Sequence, residues 1–340
     1  MVKDNLKFQP TLLNFGLPMG LLGLGVNAEH LAYLIGYDIA LGLPFILLGW
    51  FSFIYLKLHY ALGLLNGDMR VIIRNEWFNP FKRSFLPAVS LTGFLFIQTL
   101  SIYWQGITSY LLILTYIGLV LHIYVNVFLM SGWIFDRDVS LADHMPTWFI
   151  LISSNFVGAI TLMGLAPQSE TSYEFSLFLI STGLFLWIVF ATTLIYRLIF
   201  HTPLTTTLRP SLFIFLAPPS LACVATMLIS DSFIQSGQVN VLSINLVSWF
   251  SYSFASIIFV LWLFNIRFFI ESGLSMAGWS YVYPLAAYGL ATQYMAKAQE
   301  SYILLLVGCV LFILVSAIVV LLIVWHFKKV FSEIEDQAKE

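Results

Sequence analysis

Long apolar runs separated by short polar segments recur along this chain from one end to the other. A helix needs about 20 residues to cross about 30 Å of hydrocarbon, and each run is long enough or nearly so. The runs lack the strict alternation of a membrane β-strand, so we predict helices. Ten membrane spans are predicted, over residues 10–27, 38–64, 85–104, 107–134, 146–165, 173–200, 211–230, 241–270, 275–296 and 301–327.

Two kinds of span alternate along the chain. The even spans are long and uniformly apolar, whereas the odd spans are rich in Gly, Pro, Ala, Ser and Asn. Small residues let helices approach closely or leave room beside a helix axis. We therefore predict an all-α integral membrane protein of five helical hairpins, with the odd helices in an inner ring and the even helices outside it. One proline near the start or middle of each odd span indicates a degenerate hairpin repeat, at Pro10, Pro87, Pro146, Pro210 and Pro284.

The composition excludes a water-soluble globule. The chain is 60% hydrophobic and 9% charged, with a mean hydropathy of +0.91, whereas soluble domains carry about 25% charged residues. The ten spans use most of the 340 residues. We expect a single membrane domain over 1–340, with a short cytoplasmic tail at 328–340.

The cationic residues give the predicted orientation. If ten helices alternate in direction, Lys297 lies on one side of the membrane and the other fourteen Lys and Arg residues lie on the opposite side. Those fourteen are Lys3, Lys7, Lys57, Arg70, Arg74, Lys82, Arg83, Arg137, Arg197, Arg209, Arg267, Lys328, Lys329 and Lys339. Short cationic loops stay in the cytoplasm, so we expect both termini there. The small size and lack of long tails favour a bacterial inner membrane.

The sequence offers little catalytic or metal-binding chemistry. Asp143-His144 and Glu29-His30 are isolated pairs, and neither forms a complete metal site. The chain has no phosphate-binding loop and no dinucleotide fingerprint. We predict no enzyme activity, no metal, no cofactor and no nucleic-acid partner.

The middles of the odd spans contain no Lys, Arg, Asp or Glu. Ionisable groups at membrane depth are expensive and are kept for function, so proton-coupled transporters usually carry them on their path. His122, in the fourth span, has two interpretations. It is either a proton relay or a neutral side chain hydrogen-bonded to a neighbouring helix, and its place in the outer set favours the second.

Several segments match one family, in order and at fitting spacing. They are Phe15-Gly16-Leu17-Pro18-Met19-Gly20-Leu21, Pro146-Thr147-Trp148-Phe149 running into Asn155-Phe156, Arg209-Pro210-Ser211-Leu212-Phe213-Ile214-Phe215-Leu216-Ala217-Pro218-Pro219-Ser220 and Trp279-Ser280-Tyr281-Val282-Tyr283-Pro284. The chain resembles the tellurite-resistance TehA and C4-dicarboxylate transporter family, which includes plant slow anion channels and a fungal malate permease.

The resemblance implies five hairpins around a central pore, commonly in a homotrimer, and passive flow of anions. It also implies a pore plug from a phenylalanine of the ninth helix, which corresponds to Tyr283 here. The tyrosine adds a hydroxyl that could hydrogen-bond within the pore.

Other residues are expected to line the pore or attract anions, each with a plainer alternative. The predicted pore-lining residues are Phe15, Gly20, Phe85, Asn155, Phe156, Phe213, Pro218 and Ser280. For most of them the alternative is helix packing, and for Asn155 it is a bridge between helices. Arg83, Arg137 and Arg209 are expected to attract anions at the mouth, the alternative being retention of their loops in the cytoplasm.

Four functional classes follow, in order of support. The first is a gated anion channel or uniporter for chloride, nitrate, sulfite or a dicarboxylate. The second is a proton-coupled transporter of C4-dicarboxylates or tellurite-like oxyanions on the same fold. A membrane-embedded enzyme would need clustered catalytic groups, and a structural or sensory protein would carry no flux.

Overall fold

The computed structural model describes residues 11–65, 68–135, 139–235 and 241–337. Every regular element in these ranges is helical, which confirms the all-α class. The α-helices are α1 Gly16–Leu34, α2 Leu43–Leu65, α3 Asp68–Trp77, α4 Pro80–Arg83, α5 Leu86–Tyr103, α6 Thr108–Phe135, α7 Phe149–Leu165, α8 Glu170–Phe200, α9 Ala217–Gln235, α10 Val241–Phe264, α11 Ile266–Ile270, α12 Trp279–Ala298 and α13 Tyr302–Gln337.

Eight helical stretches in the described ranges are long and apolar enough to cross a membrane. This confirms an integral membrane protein, but it does not confirm the predicted count of ten. The first and ninth predicted spans correspond to α1 and α12, with 19 and 20 residues, and neither is among the eight. Both helices are mostly buried in protein, so their surfaces carry Gly, Ala, Asn and Gln in place of lipid-facing aliphatic side chains.

Several predicted boundaries are wrong. The first helix ends at Leu34, seven residues beyond the predicted edge, and α13 continues through most of the predicted tail to Gln337. The predicted span 241–270 is broken at Asn265, whose amide donates to the Leu261 carbonyl at 2.9 Å and so competes with the helix ladder.

The amphipathic helix α3 was not predicted. It contacts the short turn Leu12–Phe15 before α1 through Glu76, which accepts the Leu12 N–H at 2.9 Å. Burial raises the pKa of the Glu76 carboxyl.

The helices that correspond to the five odd-numbered predicted spans form a closed ring. In ring order the neighbours are α1, α5, α7, α9 and α12, and α12 packs back against α1. The helices α2, α6, α8, α10 and α13 pack outside it. Burial follows the same division. In an apolar stretch of 18 residues within the inner span Pro146–Leu165, 89% of the residues are buried, against 22% for the outer span Gln105–Phe135. The predicted division into inner and outer helices therefore agrees with the structure.

All five inner helices begin at the same end of the ring. Each is preceded by a short helical turn, and these turns touch in sequence: Leu12–Phe15 meets α4, Pro146–Trp148 meets Thr206–Leu216, and the latter meets Met276–Gly278. The Ser84 hydroxyl donates to the Thr147 hydroxyl at 2.6 Å, which joins the starts of α5 and α7. We call this the cation-rich end, because Arg83, Arg197 and Arg209 lie there.

The ring is closed by a parallel contact between α1 and α12. Near the opposite end, Asn27 donates to the Ala286 carbonyl at 3.0 Å and accepts from Gln293 at 3.3 Å. Gln293 also hydrogen-bonds His30 at 3.1 Å, and the His30 ring stacks on Tyr294 with centroids 4.2 Å apart. These bonds satisfy amide groups that are otherwise buried away from water.

Asn27→Leu should destabilise the fold by about 1–2 kcal/mol, because interhelical hydrogen bonds in membranes contribute about that much and Gln293 loses a partner. Thermal unfolding in detergent micelles measures it. Thr192→Val is the matched control, since Thr192 is exposed on the outer helix α8 and donates within its own helix, to the Ile188 carbonyl. Equal midpoints for both variants would show that the α1–α12 bonds do not support the ring.

Candidate functional site

A small cavity lies inside the ring, where all five inner helices meet. Its volume is about 20 Å³, which is room for about one water molecule. Its lining consists of Gly23, Val26, Leu95, Gln98, Val157, Ile160, Leu221, Tyr283, Ala287 and Leu290. Since each inner helix contributes, the cavity lies on the ring axis.

Tyr283 closes one side of the cavity. Its side chain is 3% exposed, and its ring packs on Gly23 of α1. A Cβ added at Gly23 would lie 2.7 Å from Cδ2 of Tyr283, so the ring occupies the space that the glycine leaves. Pro284 follows directly and has no N–H, so α12 lacks one helical hydrogen bond, to the Ser280 carbonyl. The backbone is thus less constrained at the turn that carries Tyr283.

The hydroxyl of Tyr283 is buried and has no hydrogen-bond partner among the described residues. An unpaired buried hydroxyl costs about 1–3 kcal/mol. It is also a polar group available to an occupant of the axis. Gln98 is the other polar side chain in the lining.

The described lining contains no Lys, Arg, Asp, Glu or His. His122 lies elsewhere, between α5, α6 and α7. Its Nδ1 is hydrogen-bonded to the Ser90 hydroxyl at 2.9 Å, and its Nε2 to the Asn155 amide oxygen at 3.1 Å. Asn126 donates to the same oxygen at 2.9 Å. His122 and Asn155 therefore form a bridge between helices, away from the cavity.

The predicted phenylalanines pack away from the cavity. Phe15 stands 6.2 Å from Phe53 of α2, centroid to centroid, and Phe156 contacts Gly183 of α8. Phe213 lies 4.9 Å from Phe269, and Phe85 lies 5.5 Å from Phe81.

The small and polar residues of the predicted set also lie outside the cavity lining. Gly20 faces Trp279 and Val282 at the α1–α12 contact, Pro218 is buried in the first turn of α9, and Ser280 is half-buried on α12. Of the predicted set, only Tyr283 lines the cavity. Gly23 was not among the predicted lining residues, and the apolar lining residues carry no sequence signal that distinguishes them from packing.

The predicted arginines differ in their surroundings. Arg83 is 5% exposed, with its guanidinium 5.7 Å from the centre of the Trp77 ring. Arg209 pairs with Glu271 at 2.7 Å and donates to the Phe268 carbonyl at 3.1 Å, so its charge is locally compensated. Arg137 lies outside the described residues.

Arg197 was not singled out from the sequence, although it is 4% exposed at the end of α8. Its Nε and Nη1 are buried without hydrogen-bond partners among the described residues. Burial lowers the pKa of the nearby His144, which bonds the Phe190 carbonyl through Nε2 at 3.1 Å. Asp143 is engaged with Ser140 at 2.7 Å. Arg197 is therefore a buried cation in this corner, and the nearby Asp143 carboxylate offsets part of its charge.

Comparison with known families gives a match over nearly the whole chain. The family model described as voltage-dependent anion channel, SLAC1, matches residues 9–327. The chain belongs to this family. The family predicted from the sequence motifs is thereby confirmed.

A relative within the same group is the S-type anion channel SLAH3 of Arabidopsis thaliana. It is 28% identical over 262 residues, which are 74% of this chain and 37% of that protein. The chain thus spans well under half the length of this relative.

Gly23→Ala should destabilise the protein, because the new Cβ meets the buried Tyr283 ring and overpacking costs about 1–3 kcal/mol. Gly93→Ala is the control. No atom lies within 4 Å of a Cβ there, and the change should stabilise helix α5 by up to about 1 kcal/mol. Thermal unfolding midpoints of the two variants should move in opposite directions. A shift of the same sign in both variants would mean that the aromatic ring of Tyr283 does not pack on Gly23.

Proposed function

We propose that this protein is a gated anion channel or uniporter whose path is the axis of the five-helix ring. The observation that carries the proposal is the packing of Tyr283 on Gly23, in a cavity lined by every inner helix. Tyr283 is the plug in this proposal, and the closed path corresponds to a resting state.

The electrostatics of the ring favour anions. Five helices begin at the cation-rich end, and each N-terminus is equivalent to about +0.5 of an elementary charge. Arg83 and Arg197 add positive charge there, and Asp143 offsets part of it at Arg197. The lining itself carries no ionisable side chain among the described residues, so an anion would be attracted at the mouth and held weakly inside. Weak binding is what conduction requires, since an ion must also leave.

Opening requires the Tyr283 ring to leave the axis. The bare Gly23 surface allows the ring to slide or rotate without meeting a Cβ, and the missing hydrogen bond at Pro284 makes that turn of α12 easier to distort. The unpaired hydroxyl would then donate to a passing anion. In this proposal the hydroxyl affects which anions pass, and the ring decides whether they pass.

The family and the relative's name support an anion as the permeating species. Chloride, nitrate, sulfite and dicarboxylates are the proposed group. We further propose a homotrimer in a bacterial inner membrane, formed by one domain over the whole chain, with the cation-rich end and both termini in the cytoplasm.

Proton coupling receives no support from the site. It would need an ionisable group on the path, and none lines the described part of the cavity. If His122 were nevertheless a relay, anion uptake would depend on a proton gradient, and His122→Gln would remove that dependence without stopping flux.

Tyr283→Ala should raise anion flux at least tenfold, because it removes the ring that fills the axis. Halide efflux from proteoliposomes, with a potassium ionophore to balance charge, measures it. Tyr281→Ala is the matched control, as Tyr281 is on the same helix but lines a separate apolar groove. Unchanged flux in Tyr283→Ala, or equal increases in both variants, would remove Tyr283 as the plug.

Tyr283→Phe separates the ring from its hydroxyl. The path should stay closed, and the protein should gain about 1 kcal/mol of stability, because a buried hydroxyl without a partner is removed. The efflux assay and thermal unfolding measure the two effects. A loss of stability would show that the hydroxyl is bonded in the membrane, for example to a water molecule in the cavity.

A further inference from the structure

We propose that the chain binds one phospholipid in a groove beside the ring, with an acyl chain between α10, α12 and α13 and an anionic headgroup at Arg267. This site goes beyond the proposed channel activity and does not depend on it. No residue of the ring-axis cavity takes part.

The groove has a volume of about 450 Å³, against about 20 Å³ for the axis cavity. Its walls are almost entirely apolar. Phe259 and Leu263 of α10, Phe269 of α11, Leu285 of α12, and Ile318 and Leu322 of α13 contribute.

The groove results from an incomplete contact between α10 and α12. Helix α10 packs along its hairpin partner α9 and touches α12 over a much shorter length. Tyr252 and Tyr288 stack there with centroids 5.9 Å apart, and the Tyr288 hydroxyl donates to Ser256 at 3.1 Å. Towards the cation-rich end, α10 stops at Phe264. The short helix α11 follows and lays Phe269 against Phe213, 4.9 Å between ring centroids, so α11 forms that end of the groove.

The open side of the groove faces lipid. Leu263, Ile270, Leu314 and Leu321 are exposed on its rim. An acyl chain gains no hydrophobic free energy by leaving other chains, so residence depends on fit within the walls and on headgroup contacts. A narrow apolar groove with a charged mouth provides both.

Arg267 lies on α11 between Ile266 and Phe269, which line the groove, and its own side chain is exposed beside that lining. The guanidinium makes no hydrogen bond or ion pair with the described residues. The adjacent charges Arg209 and Glu271 neutralise each other at 2.7 Å. Basic groups at the membrane surface attract acidic lipids, so a phosphate with net negative charge is the expected headgroup.

The bound acyl chain would lie against the side of α12 that faces away from the ring axis. Tyr281 and Leu285 face the groove, and Tyr283, two residues from each, faces the axis. At about 100° per residue, these positions lie on opposite sides of α12. The membrane thus has direct contact with the helix that carries Tyr283.

The test uses purified protein in nanodiscs that contain a trace of phospholipid with a diazirine near the end of one acyl chain. Phosphatidylglycerol and phosphatidylcholine forms are compared, and adducts are mapped by mass spectrometry. We expect adducts concentrated on the groove faces of α12 and α13, several-fold more abundant for phosphatidylglycerol. Arg267→Gln should reduce that preference to near unity, whereas Lys328→Gln, at the same end of the protein, should leave it intact.

Two filling variants test the groove itself. Leu285→Trp fills it from the ring side and Leu263→Trp from the lipid side, and either should reduce adducts for both lipids at least threefold. Adducts spread evenly over the outer faces of α6 and α8, or a headgroup preference unaffected by Arg267→Gln, would overturn the proposal. So would a second copy in the groove, seen as few adducts together with a disulfide between copies that carry Leu314→Cys in a variant lacking Cys223 and Cys309.

Discussion

The contact between α1 and α12 is the constraint on which the rest of the structure depends. These are the first and last inner helices, so the ring closes only if they meet. Glycine makes the meeting possible: Gly20 accommodates Val282, Gly23 accommodates Tyr283, and Gly289 accommodates Asn27. Gly23 and Tyr283, which bring the two helices together at mid-length, are also the pair that we propose to close the axis. In that proposal, ring closure and occlusion of the path share one set of atoms.

This sharing determines how a gate could open without loss of the fold. Bonds from Asn27 and His30 to α12 hold the end of the contact that lies away from the arginines. At the other end, Gly20 lies against Trp279 and Val282. Tyr283 sits between these two anchors, next to Pro284, where the helix lacks a hydrogen bond. A local distortion of one turn of α12 could move the Tyr283 side chain while the α1–α12 contacts on either side of it stay in place.

Much of the architecture could be predicted from the sequence, because burial and composition are linked in a membrane. Helices that face lipid need continuous apolar side chains, whereas helices inside a ring need small residues, and this difference separates the inner and outer sets. Helix rotation could not be predicted in this way. Asn155 and Phe156 turn towards α6 and α8, since residues on every side of a buried helix look alike in composition. Arg197 was overlooked because a terminal arginine also serves as a topology signal. Tyr283 became a candidate through a family motif and not through its spacing.

The most direct test of the account is the reach of a small anionic thiol reagent along the axis. Ala287, one helical turn beyond Tyr283 and in the cavity lining, is replaced by cysteine in a variant lacking Cys223 and Cys309. A methanethiosulfonate carrying a sulfonate group is applied from the cation-rich side of oriented vesicles. We expect slow labelling with Tyr283 in place and labelling at least tenfold faster with Tyr283→Ala. Equal labelling rates in the two backgrounds would contradict Tyr283 as the plug, because the axis would then be either open past the tyrosine or blocked elsewhere.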